Sequence, residues 1–309
     1  MTSCQAPPSQ EALGQLPTWA VPGWTWAPEV IRLPSGQTGQ SQYVMYYGVR
    51  HCGAQATPCP SGSGIAANNH LCIAVATSST PAGPFTTSSK PLICSSSQDS
   101  IDPSPFLDSS GKLYLYWKSN ALFYGATLYG QQLSSTGLAL AGSSVVLLHK
   151  SSSSSWQGNN IEAPAMVPSG TGRYDLFYSG NYFASRNYAI GYAECSGPLT
   201  GCTNQSTSAA WFSTPTPSGS PSSTTACYPN DPNPNGNPAG PNGPGGQSFL
   251  RDDSGRLVSP CTGQLVMAYH GWGGVIGPAP RFMWIATVTW SSGRPVRPDT
   301  SWMGTPCST

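Results

Sequence analysis

Asp102 and Glu162 are the residues best placed to do chemistry. Each falls at the expected start of a strand and lies close to a proline, in Ile101-Asp102-Pro103 and Ile161-Glu162-Ala163-Pro164. Breaking a glycosidic bond with inversion needs one carboxyl group to protonate the leaving oxygen and another to activate water on the opposite side of the sugar. Two carboxyls converging on one channel could supply that chemistry. Read alone, each also has a plain structural role: Asp102 suits an Asx-turn before Pro103, and Glu162 suits an exposed strand end. Trp24, Trp26, Trp156 and Trp272 fall in predicted loops or strand starts, where flat rings could stack on sugars. Ten tryptophans in one chain also fill large β cores, and for any one of them packing is the simpler role.

The elements that must hold these residues repeat along the chain. Four times a short polar or acidic segment and a turn precede an alternating strand rich in Tyr, Leu and Met. The pairs are Trp26–Val30 with Tyr43–Tyr47, Ile101–Phe106 with Leu113–Trp117, Ile161–Pro164 with Tyr174–Tyr178, and Pro244–Leu250 with Leu265–His270. A third strand follows at Cys72–Ala76, Tyr188–Ala193 and Met283–Val288. Unit starts at Trp26, Ile101, Ile161 and Pro244 are 75, 60 and 83 residues apart, the last spacing lengthened by a low-complexity insertion over 203–242. Meandering units of this length suit the blades of a β-propeller, whose radial repetition protects sheet edges.

Composition agrees with an all-β chain forming one domain over 1–309. Only 8% of residues are charged, while 35 Gly and 31 Pro supply turns, and no segment keeps a helical apolar period with caps. A net charge of +1 without a Lys/Arg cluster argues against nucleic acid, and no run of apolar residues is long enough for a membrane span. A monomer is expected. Ten cysteines point to an oxidising compartment and hence to secretion. Cys52 with Cys59 and Cys195 with Cys202 are expected to form local disulfides, their spacing being too wide for a zinc knuckle. Pairing among Cys4, Cys72, Cys94, Cys227, Cys261 and Cys307 is not readable. Asn204-Gln205-Ser206 offers a glycan acceptor. Met1–Pro17 has no signal-peptide pattern, which reads as the loss of an upstream segment.

Trp26-Ala27-Pro28-Glu29, Ile101–Phe106 and Ile161–Pro164 resemble, in order, three signatures of glycoside hydrolase family 43. The resemblance continues through Tyr174–Ser179, Gly243–Gln247, Tyr269-His270 and Gly293–Val296, so it covers 26–296. It implies a five-bladed β-propeller, here with the first blade incomplete, and an inverting mechanism on arabinose- or xylose-containing polysaccharide such as arabinan or arabinoxylan. Glu162 matches the general acid and Asp102 the aspartate that orients it and raises its pKa. Trp26, Phe106 and Arg281 match substrate-binding positions, although a surface arginine would look the same. His270 resembles an axial histidine near a calcium or sodium ion, and equally fits a hydrogen-bonded core histidine.

The general base should be an aspartate in the first blade, yet no Asp precedes Asp99 and Glu11 lacks a matching context. The chain as it stands would then lack the group that activates water. Two further readings follow: a carbohydrate-binding propeller without turnover, and a disulfide-braced propeller that binds protein partners.

Overall fold

The computed structural model describes residues 11–34, 42–52, 70–95, 97–119, 126–170, 172–214, 241–258, 264–273 and 281–298. Every regular element among them is a strand. The strands form four sheets of four, each a simple antiparallel meander in sequence order. Sheet one holds β1 (Ala20–Leu33), β2 (Gln42–His51), β3 (Leu71–Ser78) and β4 (Thr86–Thr87). Sheet two holds β5 (Ser100–Leu107), β6 (Leu113–Ser119), β7 (Thr127–Leu133) and β8 (Leu140–His149). Sheet three holds β9 (Ile161–Gly170), β10 (Arg173–Gly180), β11 (Ala189–Cys195) and β12 (Cys202–Asn204). Sheet four holds β13 (Pro241–Phe249), β14 (Gln264–Gly273), β15 (Phe282–Ser291) and β16 (Arg294–Val296). These are four blades of a β-propeller, and each begins at or just before a unit start read from the repeat.

Side chains alternate between the two faces of a strand, so a strand buried on both sides packs against two neighbours. In β6, Tyr114 and Tyr116 join the cluster facing sheet three, while Leu113, Leu115 and Trp117 join the one facing sheet one. In β10, Leu176 and Tyr178 face sheet two, and Phe177 faces sheet four. Unbroken apolar runs such as Leu113–Trp117 follow from this two-sided burial. The outer face of sheet one is covered by the segment leading into β1, whose Leu13, Leu16 and Trp19 pack on Met45, Tyr47 and Phe85. On sheet four, Met267, Ala286 and Val288 are buried towards sheet three, while Met283 and Ile285 point the other way and are exposed.

The innermost strands β1, β5, β9 and β13 share one irregularity. Each has one more residue than its partner strand over a short interval: Trp26 to Glu29, Ile101 to Ser104, Glu162 to Ala165 and Gly245 to Ser248. The first extra position is left-handed in all four, at Ala27 (φ 43°), Asp102 (φ 57°), Ala163 (φ 50°) and Gly246 (φ 61°). A β-bulge of this kind bends the strand and re-aims its side chains. Asp102 therefore sits on the left-handed bulge residue of β5, and Glu162 one position earlier on β9.

Beyond β13, Arg251 reaches across to two other blades: Nη1 lies 3.1 Å from Glu29 Oε2 on β1, and Nη2 donates to Pro105 O on β5 at 2.5 Å. The expected Cys195–Cys202 disulfide joins β11 to β12, and Cys72–Cys94, a pairing the sequence left open, ties β3 to the segment before β5. Cys52 is also disulfide-bonded, and its expected partner Cys59 lies outside the described residues, as do Cys4, Cys227, Cys261, Cys307 and most of the low-complexity insertion. Asn204 does not fit the glycan acceptor read from its sequon. Its Nδ2 is buried and its Oδ1 accepts from Tyr178 Oη and the Ser206 amide.

Candidate active site

Glu162 projects from the bulge of β9 towards three donors: Lys118 on β6, and Asn160 and Tyr188 from the loops just ahead of β9 and β11. Its Oε1 accepts from Tyr188 Oη at 2.7 Å, and its Oε2 accepts from Asn160 Nδ2 at 2.6 Å and Lys118 Nζ at 3.2 Å. Lys118 is 2% exposed, whereas 16% of the Glu162 side chain remains open to solvent. The carboxyl is thus fixed in place and still reachable. Hydrogen bonds to charged groups are about twice as strong as neutral ones, so this cage holds one rotamer.

Asp102 meets the same bulge from sheet two. Its Oδ2 accepts from the Ala163 amide at 3.0 Å, while Gln247 Nε2 of sheet four donates to Ala163 O at 2.5 Å. Alanine in the left-handed region costs on the order of 1–3 kcal/mol. Bonds from two neighbouring blades clamp that peptide and offset the strain, and they set the angle at which Glu162 leaves the strand. Burial and then the negative charge of Glu162 push the Asp102 carboxyl up to about 6, with Lys118 and the Ala163 amide opposing the rise. The two carboxyls therefore sense each other as like charges do at short range.

Tyr188 is held in turn. Its ring stacks on His270 at 6.0 Å, and the Arg281 guanidinium lies 5.2 Å from its centroid. Gly245 and Gly246 make this packing possible: a Cβ at Gly245 would lie 2.0 Å from Tyr188 Cε1, and one at Gly246 would lie 2.2 Å from His270 Nε2. Arg281 donates from Nε to His270 Nδ1 at 2.5 Å, from Nη1 to Phe183 O at 2.6 Å, and from Nη2 to His270 O at 2.8 Å and to Gly243 O. Its guanidinium is thus occupied with protein acceptors at all three nitrogens. Burial and the Arg281 charge lower the His270 imidazole to about 4, so the ring is neutral near pH 7.

That arrangement does not suit direct coordination of calcium or sodium by His270. Nδ1 already accepts a hydrogen bond from a cation, and the described residues contain no group of three or more His, Cys, Asp or Glu side chains able to hold a metal. Phe106 is a core residue and not a substrate-binding one. It is 3% exposed, lies past the bulge of β5 and packs against Tyr114, Tyr116 and Tyr174, out of reach of a ligand. Trp26 stays half-buried at the β1 position equivalent to Glu162, with its ring 5.4 Å from Trp24. Trp156 is a packing residue that stacks on Tyr178 and donates to Ser206 O. The side chain of Trp272 lies outside the described residues.

The geometry thus brings together Asp102 and Glu162, with His270 and Arg281 behind them through Tyr188. Lys118, Asn160, Tyr188 and Gln247 were not recognised from sequence. Lys118 had one signal: it is a lone charge in an otherwise apolar strand segment, Leu113–Lys118.

The family model described as "Glycosyl hydrolases family 43" matches residues 7–295, a span that includes all four bulges and both carboxyls. The chain belongs to glycoside hydrolase family 43. No curated protein sequence matches this family 43 chain. Among solved structures, a thermostable family-43 glycoside hydrolase is 26% identical with a TM-score of 0.62, the alignment covering 93% of this chain and 80% of that one. A Cellvibrio cellulosa α-L-arabinanase is 16% identical with a TM-score of 0.59 and coverage of 94% and 84%. An endo-1,4-β-xylanase from Bacteroides thetaiotaomicron is 21% identical with a TM-score of 0.57 and coverage of 90% and 77%. The last two likenesses extend to the fold alone.

Proposed function

We propose that this family 43 glycoside hydrolase acts on arabinose- or xylose-containing polysaccharide, such as arabinan or arabinoxylan, by an inverting acid/base mechanism. The observation that carries the proposal is the caged, solvent-reachable carboxyl of Glu162 beside the raised carboxyl of Asp102. In this reading Glu162 is the general acid that protonates the leaving glycosidic oxygen. Asp102 is a positioning carboxylate that holds the Ala163 peptide and lends negative charge. Trp26, half-exposed at the level of Glu162, packs on the substrate. Arg281 contributes by fixing His270 and Tyr188.

An inverting reaction also needs a base. At the bulge position of β5 stands Asp102, and at the same position of β1 stands Ala27. The other carboxylates among the described residues are engaged elsewhere, as in Glu29 with Arg251, Asp99 with the Leu71 amide and Asp175 with Trp290, or lie at the exposed approach to β1, as does Glu11. This favours a second reading, carbohydrate binding without turnover by this chain. A fifth blade, incomplete here, belongs to the same proposal, supported by the exposed Met283 and Ile285 on the outer face of sheet four. The Cys72–Cys94 and Cys195–Cys202 disulfides support secretion. We take the working form to be a monomer that engages glycan, not nucleic acid or membrane.

The test is hydrolysis of arabinan, arabinoxylan and aryl pentosides by the chain and by Glu162→Gln, with glycan binding measured on both. Turnover that falls about 10²–10⁴-fold in Glu162→Gln supports the acid role. Binding without turnover in either protein selects the second reading.

A further inference from the structure

We propose that Tyr182 and Phe183 form a sugar-stacking subsite next to the Glu162 site, taking a pentose ring of the glycan beyond the one whose bond is broken. The inference rests on the glycan reading above and adds a second point of contact to it. Nine large hydrophobic residues are exposed among the described residues, and these two are the only aromatic ones, each 47% exposed. Their rings lie 5.0 Å apart and tilted by 59°, so they present neighbouring surfaces and not a buried stack. Exposed apolar surface of this kind commonly marks a binding site, and aromatic rings suit the apolar C–H faces of sugars while their edges stay wet.

The loop that bears them is built to hold a position. It leaves β10 at Gly180, which pairs with Ile161, the residue before Glu162. Asn181 turns the chain with φ 77°, its amide donating to Gln157 O and Asn160 O and its Nδ2 to Trp156 O. The Ser185 amide donates to Tyr182 O, and the Tyr188 amide donates to Ser185 O. Arg281 then clamps Phe183 O with the same guanidinium that lies over Tyr188, whose hydroxyl donates to Glu162. One chain of contacts therefore sets the exposed rings relative to the caged carboxyl. A loop serving only as a connection would gain nothing from carrying two aromatic rings into solvent at the end of that chain.

The experiment uses calorimetric titration of xylo- and arabino-oligosaccharides, with the free monosaccharides beside them, into the full chain carrying Glu162→Gln. Tyr182→Ala and Phe183→Ala are then added singly in that background, with Phe183→Trp as the ring-retaining control. Each alanine is expected to weaken oligosaccharide binding about three- to tenfold, to leave monosaccharide binding unchanged and to be rescued by the tryptophan. Unchanged oligosaccharide affinity, or equal weakening for monosaccharide and oligosaccharide, overturns the subsite. So does a loss of self-association in light scattering in place of a loss of sugar affinity, because the rings would then serve a second copy of the chain. If the Glu162→Gln parent binds none of these sugars, the glycan reading falls with the subsite. If it binds them and the ring variants match it, the subsite alone falls.

Discussion

Lys118 Nζ lies 3.2 Å from Glu162 Oε2, and the lysine is almost wholly removed from solvent on strand β6. Removing one member of a buried ion pair leaves the other uncompensated, at a cost of about 3–5 kcal/mol. Lys118→Met is therefore expected to destabilise the protein by about that amount near neutral pH. Lys118→Met combined with Glu162→Gln should recover part of the loss. Urea unfolding of the two singles and the double measures the coupling, and simple additivity would refute it.

Tyr188→Phe removes the hydroxyl that donates to Glu162 while keeping the ring on His270 and under Arg281. A lost hydrogen bond to a charged group costs about 1.5–3 kcal/mol, and here it is felt at the acid. Turnover should drop about tenfold or more with little change in KM. An unaltered rate would show that the tyrosine does not position the carboxyl.

Asp102 and His270 drive pH-dependent stability in opposite directions. Asp102 titrates near 6 when folded and near its ordinary 3.8 when unfolded, so between those values the folded state holds the extra proton and stability falls as pH rises. His270 titrates near 4 when folded against 6.5 unfolded, so across that range the unfolded state holds the extra proton and stability rises with pH. The two effects nearly cancel in the wild type between about pH 4 and 6. Asp102→Asn, which tolerates the left-handed backbone at φ 57°, should expose a rise with pH. It should also stabilise the protein above pH 6 on the order of 2 kcal/mol, allowing for screening at a partly exposed carboxyl. His270→Gln should expose the opposite slope. Chemical denaturation across this range measures both, and parallel profiles for the two variants would contradict the assignment.

Gly245→Ala and Gly246→Ala each drive a methyl group into the site's support, against the Tyr188 ring in one case and His270 in the other. At Gly246 the left-handed φ of 61° adds backbone strain. Both variants should lose at least about 2 kcal/mol and turnover with it, because Tyr188 can no longer hold Glu162. Thermal melting and the pentoside assay test this, and a stable, active Gly246→Ala would show that His270 can move aside at no cost.

Much of the fold was legible because its signals are local. Nearly unbroken apolar runs such as Leu113–Trp117 announce strands buried on both faces, and the spacing of four similar units announces blades. Asp102 and Glu162 were legible through the ordered resemblance of their segments to family signatures, since a carboxyl near a proline at a strand start would by itself equally suit a turn cap or an exposed strand end. Phe106 was misread because sequence marks the strand and not which side chain lies past the bulge in the core. Tyr188 looked like any strand tyrosine, and Lys118 like a chance charge.

Sequence by itself determined the all-β repeat and the order of its strands, because periodicity and turn residues act over a few neighbours, and its ordered signature segments marked the two carboxyls. Only the tertiary structure decided that Ala163 is clamped from two other blades, that Lys118 and Tyr188 cage Glu162, and that Arg281 is bound to His270 instead of facing solvent. The contacts of Ala163 and Lys118 join different blades and depend on how the blades pack around the axis, while those of Tyr188 and Arg281 depend on how the loops of one blade fold back on it. No local pattern records that.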